Sequence, residues 1–272
     1  MELHTLKKQC VAMCRDHSDL CSDFNLISKH VMGVKEDINP FSNISDKQAN
    51  KIVKLISKHI KGCPVQKLLG YSMFYNCYIP YSKHTLTPRL ETELLVEKIL
   101  ENINHKRCRV LDLCSGSGCI GIAIAKARTD AEVTCADISS RAVKQCRSNA
   151  KLNGVKVEVV KTDMFDDITE KYDIIVCNPP YISRSEYKTL DKLVKNNDPK
   201  RALVAKENGL YYYKVLADQA KDYLNDNGKL FVEVGYNQGD EVSKLLLNNF
   251  NNIEVIKDYS NNDRIIVAGK NL

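Results

Sequence analysis

The chain has 272 residues, 43% of them hydrophobic and 27% charged, with a formal net charge of +6 at neutral pH. That length suits one large domain plus an accessory one, and the mild basicity excludes the dense Lys/Arg stripe of a strong nucleic-acid binder. Nowhere do eighteen apolar residues run together and the first residues lack a signal-peptide pattern, so no membrane span and a cytoplasmic location are expected. Eleven cysteines are present. Their count is odd, their spacing is irregular and no Cys-x-x-Cys occurs, so neither a disulfide framework nor a metal site is expected. They read as small hydrophobes in a reducing compartment.

Residues 1–75 read as helical. Leu3, Leu6, Cys10, Met13 and Cys14 recur at helical steps, as do Ile52, Leu55, Ile56, His59 and Ile60. Ser45 to Gln48 offers a cap for the second run, and Gly62 with Pro64 closes it. This region contains no obvious catalytic group, which suits partner recognition or a packing cap. Residues 76–86 read as a short hairpin linker turning at Ser82-Lys83. Thr87-Pro88-Arg89-Leu90-Glu91 then enters a helix, its acids placed well against the positive helix end. Arg89 and Glu91 are also candidates to face substrate from a polar loop.

From residue 107 onward, strand and helix alternate, which implies a mostly parallel, doubly wound α/β sheet in a domain spanning 87–272. Strands are expected at 110–113, 132–136, 155–160, 172–177, 229–235, 253–257 and 264–268. Helices are expected at 120–127, 140–152, 210–224 and 239–247. Only six residues separate the last two strands, too few for a parallel crossover, so these two should pair antiparallel.

Leu111 to Gly121 is a strand, a glycine-rich turn and a helix start. Cys114, Ser115, Gly116, Ser117 and Gly118 form the turn, where small residues let a ligand approach the backbone and the helix start adds donors. Asp137 follows Gly116 by 21 residues, a spacing that suits a carboxylate on ribose hydroxyls. Gly116-x-Gly118-x-x-Gly121 with a distant acid fits a nicotinamide dinucleotide as well as S-adenosylmethionine. The terminal hairpin and the next motif favour the methyl donor. Asp163 and Met164 would then meet adenine, the acid accepting from its amine and the thioether forming an apolar edge.

That next motif is Asn178-Pro179-Pro180-Tyr181, which ends the run Asp173 to Cys177. Neither proline has a backbone N–H, and the residue before a proline is driven to extended geometry, so the strand stops here rigidly. One amide, one bare carbonyl and one ring are presented at a strand end, where open α/β sheets hold ligands.

Taken together, these segments resemble the glutamine-specific methyltransferase family that modifies class I peptide chain release factors. The resemblance rests on Leu69-Gly70, Thr87 to Arg89 with Glu91 to Glu93, Leu111 to Gly118, Ala136 to Ser139 and Ser148 to Ala150. It continues through Asn178 to Ile182, Asp198-Pro199, Arg201 to Leu203, Asn208 to Leu210 and Glu233 to Gly235 with Gln238. Enzymes that methylate the exocyclic amine of adenine in DNA share the Asn-Pro-Pro-Tyr segment alone.

The resemblance implies a class I S-adenosylmethionine-dependent methyltransferase sheet behind a small helical substrate-recognition domain. It also implies methylation of the side-chain amide in the Gly-Gly-Gln loop of release factors. The cofactor would be lined by Cys114 to Gly118, Asp137, Met164 and Asn178, and the substrate amide by Asn178, Pro179, Pro180 and Tyr181. No membrane contact, no stable nucleic-acid binding and a monomer are expected. Three positions depart from the family pattern: Cys114 replaces a first glycine, Leu90 a loop proline, and Met164 a tryptophan seen in some relatives.

Overall fold

The structure, a computed structural model, describes residues 1–12, 20–34 and 36–270. It divides into two compact units, Met1–Tyr71 and Ser72–Leu272.

In the first unit, helices α1 (Leu3–Ala12), α2 (Leu20–Met32), α3 (Asp46–Ile60) and α4 (Val65–Leu69) enclose their own core. Leu3, Leu6 and Cys10 are buried on α1 as the periodicity requires, while Met13 and Cys14 lie outside the described residues. Helix α3 starts on a full capping box: Ser45 accepts from the Gln48 N–H and the Gln48 side chain accepts from the Ser45 N–H. Its stripe of Ala49, Ile52 and Ile56 faces Phe24 and Ile27 of α2 in that core.

The hairpin differs from the sequence expectation. Its strands are β1 (Tyr71–Phe74) and β2 (Cys77–Pro80), turning at Tyr75-Asn76. Both turn residues have positive φ, 43° and 62°. That is the backbone of a tight two-residue turn, whose twist matches the strands it joins. Residues 84–86 form no strand: the Thr85 N–H turns back to the Ser82 carbonyl, and the next residue, Thr87, is held by the distant Asp198. Phe74, Cys77 and Ile79 enter the large core of the second unit, and Asn149 and Asn153 tie the backbone of β2 to the helix that bears Asn149.

The remaining elements are α5 (Glu91–Asn102), β3 (Arg109–Leu113), α6 (Cys119–Ala127), β4 (Glu132–Asp137), α7 (Ser140–Leu152), β5 (Glu158–Lys161) and β6 (Tyr172–Cys177). They continue with α8 (Arg184–Thr189), α9 (Lys192–Asn197), α10 (Tyr211–Gln219), β7 (Leu224–Glu233), α11 (Gly239–Leu246), β8 (Phe250–Lys257) and β9 (Asp263–Lys270). Seven strands form one sheet in the order β5-β4-β3-β6-β7-β9-β8. The first five in that order run parallel, and β9 lies antiparallel to both β7 and β8, as the short last connection demands.

One face of the sheet is covered by α5, α6 and α7 through Leu95, Ile99, Ile122, Ile124 and Cys146. The other is covered by α10 and α11 through Tyr213, Leu216, Val242 and Leu246. The central strands β3, β4 and β6 are buried along most of their length, the mark of a sheet held between helical layers, while the edge strands β5 and β8 are largely exposed. Strand order reverses between β3 and β6, which pair in register from Val110↔Ile174 to Leu113↔Cys177. A crevice therefore opens beyond Leu113 and Cys177, at the carboxyl ends of the two strands.

Candidate active site

The glycine-rich turn leaves β3 at that crevice. Cys114, Gly116 and Gly118 all have positive φ, 56°, 55° and 79°, which folds the chain back before α6 begins. The Ser115 N–H donates to the Ala136 carbonyl, and Asn149 donates to the Ser117 carbonyl, so neighbouring elements hold the turn. Asp112 is fully buried and accepts the Gly121 N–H at 2.9 Å, fixing the first turn of α6. Burial pushes the Asp112 carboxyl up to about 7.

Asp137, at the end of β4, accepts from the Gly116 N–H at 2.9 Å and the Ser139 N–H at 2.8 Å. Burial raises its carboxyl above the usual range, against those two bonds and the charge of Arg201. A cleft brings together Cys114, Ser115, Gly116, Ser117, Asp137, Asp163, Met164, Asn178 and Pro180. Gly118 stands behind this lining as the first cap of α6. Sequence reasoning missed Ile138, Arg201 and Tyr212 in the wall, and residues 84–86, which it places in a hairpin.

The cleft suits S-adenosylmethionine. Ser115 Oγ is buried in its wall without a hydrogen-bond partner, the Asp137 carboxylate flanks the turn, and Ile138 and Met164 supply apolar surface. Met164 has φ 48° and its sulfur lies 3.8 Å from Cys114 Sγ, so two of the three positions singled out in the sequence meet at one wall.

Asn178 and Pro180 face this cleft from the end of β6, while Pro179 is buried and Tyr181 sits to one side. The Tyr181 ring lies against Gly235 and its carbonyl accepts from Gln238 Nε2 at 3.2 Å. Burial pushes the Tyr181 phenol up to about 12, so it stays neutral across the working range.

Arg89 lines the cleft, and its guanidinium is committed to Asp198 at 2.6 Å. The same carboxylate holds both the backbone and the hydroxyl of Thr87, at 3.0 and 2.7 Å. Asp198 thus clamps the whole Thr87-Pro88-Arg89 loop, a role spacing did not reveal. Glu91 is exposed and does not join the cleft lining; it borders a separate groove with Leu90, Glu93 and Tyr259. At the opposite end of β3 and β6, ligand atoms of His105, Cys108 and Asp173 lie within 4.8 Å. Both oxygens of Asp173 are already engaged, by the Arg109 N–H and the Asn225 amide.

A sheet of this order with a glycine turn on its first strand, a carboxylate ending its second and an Asn-Pro-Pro terminus on its fourth defines a class I S-adenosylmethionine-dependent methyltransferase. Residues 89–209 match the Methyltransferase small domain family. The T. thermophilus 16S rRNA N2 G1207 methyltransferase, solved with S-adenosylmethionine and guanosine, shares the fold: TM-score 0.53, 17% identity, covering 74% of this chain and 50% of that one. The release factor glutamine methyltransferase of Fusobacterium nucleatum is 38% identical over 91% of this chain and 73% of its own. That of Thermodesulfovibrio yellowstonii is 39% identical over 84% of each. The chain belongs to the release factor glutamine methyltransferase family.

Proposed function

We propose that this protein transfers the methyl group of S-adenosylmethionine to the side-chain amide nitrogen of the glutamine in the Gly-Gly-Gln loop of class I release factors. One observation carries the reading: the Asn178 amide opens into the same cleft as the glycine turn and Asp137, at the switch point of the sheet.

An amide nitrogen is a weak nucleophile because its lone pair is delocalised into the carbonyl. When bound, S-adenosylmethionine supplies a methyl group already activated on a sulfonium. What remains for the protein is placement. A target NH₂ has two hydrogens to donate, and the Asn178 Oδ1 and Pro179 carbonyl accept one each. The two prolines keep both acceptors at fixed spacing. The nitrogen is thereby held in line with the methyl and charge growing on it is stabilised until it gives a proton to solvent. Placement of this kind supplies up to about 7–11 kcal/mol of a barrier.

Tyr181 packs on the flat amide and keeps water away. Arg89 borders the entry, Asp137 takes the ribose hydroxyls, and Asp163 and Met164 meet adenine. Helices α1 to α4 recognise the body of the release factor. The enzyme works as a monomer in the cytoplasm without stable nucleic-acid or membrane contact. The family relationship, the absence of any helix long and apolar enough to cross a membrane among the described residues, and the modest net charge support this setting.

The test is to incubate the protein with labelled S-adenosylmethionine and, separately, purified release factor, ribosomes or DNA. Label is expected on the release-factor peptide containing Gly-Gly-Gln; label on DNA instead overturns the reading. Asn178→Ala is expected to keep cofactor affinity, measured by calorimetry, and to lose nearly all methyl transfer. Near-normal turnover in that variant removes Asn178 from the proposed mechanism.

A further inference from the structure

The Asn178 amide is tied at its far end. Its Nδ2 donates to the hydroxyl of Thr92 on α5, 3.5 Å away. Thr92 in turn donates to Oε2 of Glu233, at the end of β7, at 2.7 Å. Thr92 is 2% exposed and Glu233 3%, so bulk water does not share these bonds.

A hydroxyl has one hydrogen to give. Once Thr92 has committed it to the carboxylate, only lone pairs face Asn178, and only the NH₂ end of the amide can meet them. The opposite end, Oδ1, is then turned to the cleft. Without such a partner the two orientations of an amide are close to equivalent, and one of them offers the substrate nitrogen a donor where it needs an acceptor.

We propose that Thr92 and Glu233 form a positioning relay that holds the carbonyl oxygen of Asn178 toward the substrate nitrogen. The inference rests on the role given to Asn178 above and extends it by two residues that act through it.

The relay has a direction set by the charge on Glu233. Burial pushes this carboxyl up to about 7, opposed by the Thr92 bond, the Arg264 charge and the Asn178 amide, and reinforced by Glu91. Also facing it are the phenols of Tyr181 and Tyr213 and the thiol of Cys119, while Arg264 is shared with Asp258. A protonated Glu233 can donate to Thr92, which frees the Thr92 hydrogen for Asn178 Oδ1 and lets the amide reverse. Turnover is therefore expected to fall as the pH drops through about 7, while cofactor affinity holds.

The experiment compares kcat, KM for the release factor and cofactor affinity in the wild type, Thr92→Val, Thr92→Ser, Glu233→Gln and Asn178→Ala. Thermal unfolding checks that each is folded. Thr92→Val, which keeps the shape and removes the hydroxyl, is expected to lower kcat about 10- to 100-fold, the size of one charge-assisted hydrogen bond. Cofactor affinity should stay within about twofold, and Thr92→Ser should recover most of the loss. Glu233→Gln should remove the acidic limb of the kcat profile. Wild-type kcat in Thr92→Val, equal damage in Thr92→Ser, or an unchanged acidic limb in Glu233→Gln each overturns the relay. If Asn178→Ala is itself fully active, the mechanism proposed for the site fails; if it is inactive while Thr92→Val is normal, only the relay fails. Should Glu233→Gln not fold, the pair of Thr92 variants decides.

Discussion

Gly118 shows how little freedom the cofactor turn has. It sits at φ 79° as the cap of α6, and a Cβ there would lie 2.4 Å from Cys146 Sγ on α7. Left-handed backbone costs an alanine about 1–2 kcal/mol, and overfilling a packed contact adds about 1–3 kcal/mol. Gly118→Ala is thus expected to lower the urea midpoint clearly and to weaken S-adenosylmethionine binding in calorimetry. Cys114 already bears such strain at φ 56°. Single residues were readable in the sequence where their chemistry is local. The amide before two prolines, the glycine turn and the acid ending β4 all announce themselves along the chain. Thr92 and Glu233 do not, because the bonds that give them meaning span 86 and 141 positions. Asp198 lay within the family resemblance, but its clamping role escaped for the same reason, since it bonds Thr87 across 111 positions.

Among the elements, regular ones were legible and irregular ones were not. Strand β6 and helix α7 fall where the alternation of strand and helix puts them, and Ser139 caps the start of α7. The hairpin was shifted because its two-residue turn uses Tyr75-Asn76 instead of the glycine-bearing pair that usually marks one. Strand β7 begins at Leu224, earlier than expected, where its pairing with β6 is interrupted by an irregularity between Tyr172 and Ile174. Helices α8 and α9 have only six residues each, too few to carry a periodicity to read. Helix α3, by contrast, was marked at its start. Ser45→Ala, which removes the side-chain acceptor of its capping box, is expected to cost about 1 kcal/mol. Hydrogen exchange across residues 46–60 measures that cost, and unchanged protection there contradicts the role of the cap.

Two of the buried carboxyls of the second unit, Asp112 and Glu233, leave a signature in the stability of the whole molecule. Asp112 and Glu233 are each pushed up to about 7 by burial, so the native state binds protons that the unfolded chain, with ordinary carboxyls, has already released. Stability from this source is complete below about pH 4 and is lost as pH rises toward 7. Glu233→Gln and Asp112→Asn are each expected to flatten the fall of the unfolding midpoint across that range. An identical slope in both variants contradicts the assignment.

The strand order carries a further consequence, for the way the chain is made. Strand β9 is inserted between β7 and β8, although both precede it in synthesis. Until residues 263–270 leave the ribosome, β7 presents a bare edge and β8 has no neighbour to pair with. Unpaired edges of this kind are templates for association with other chains. The nascent protein therefore holds its cofactor turn and its Asn-Pro-Pro segment ready on a half-finished sheet, and closes the sheet only with its last strand. Chaperone demand during translation is expected to fall on this interval, and a chain stopped at residue 262 should aggregate although every residue of its cleft is present.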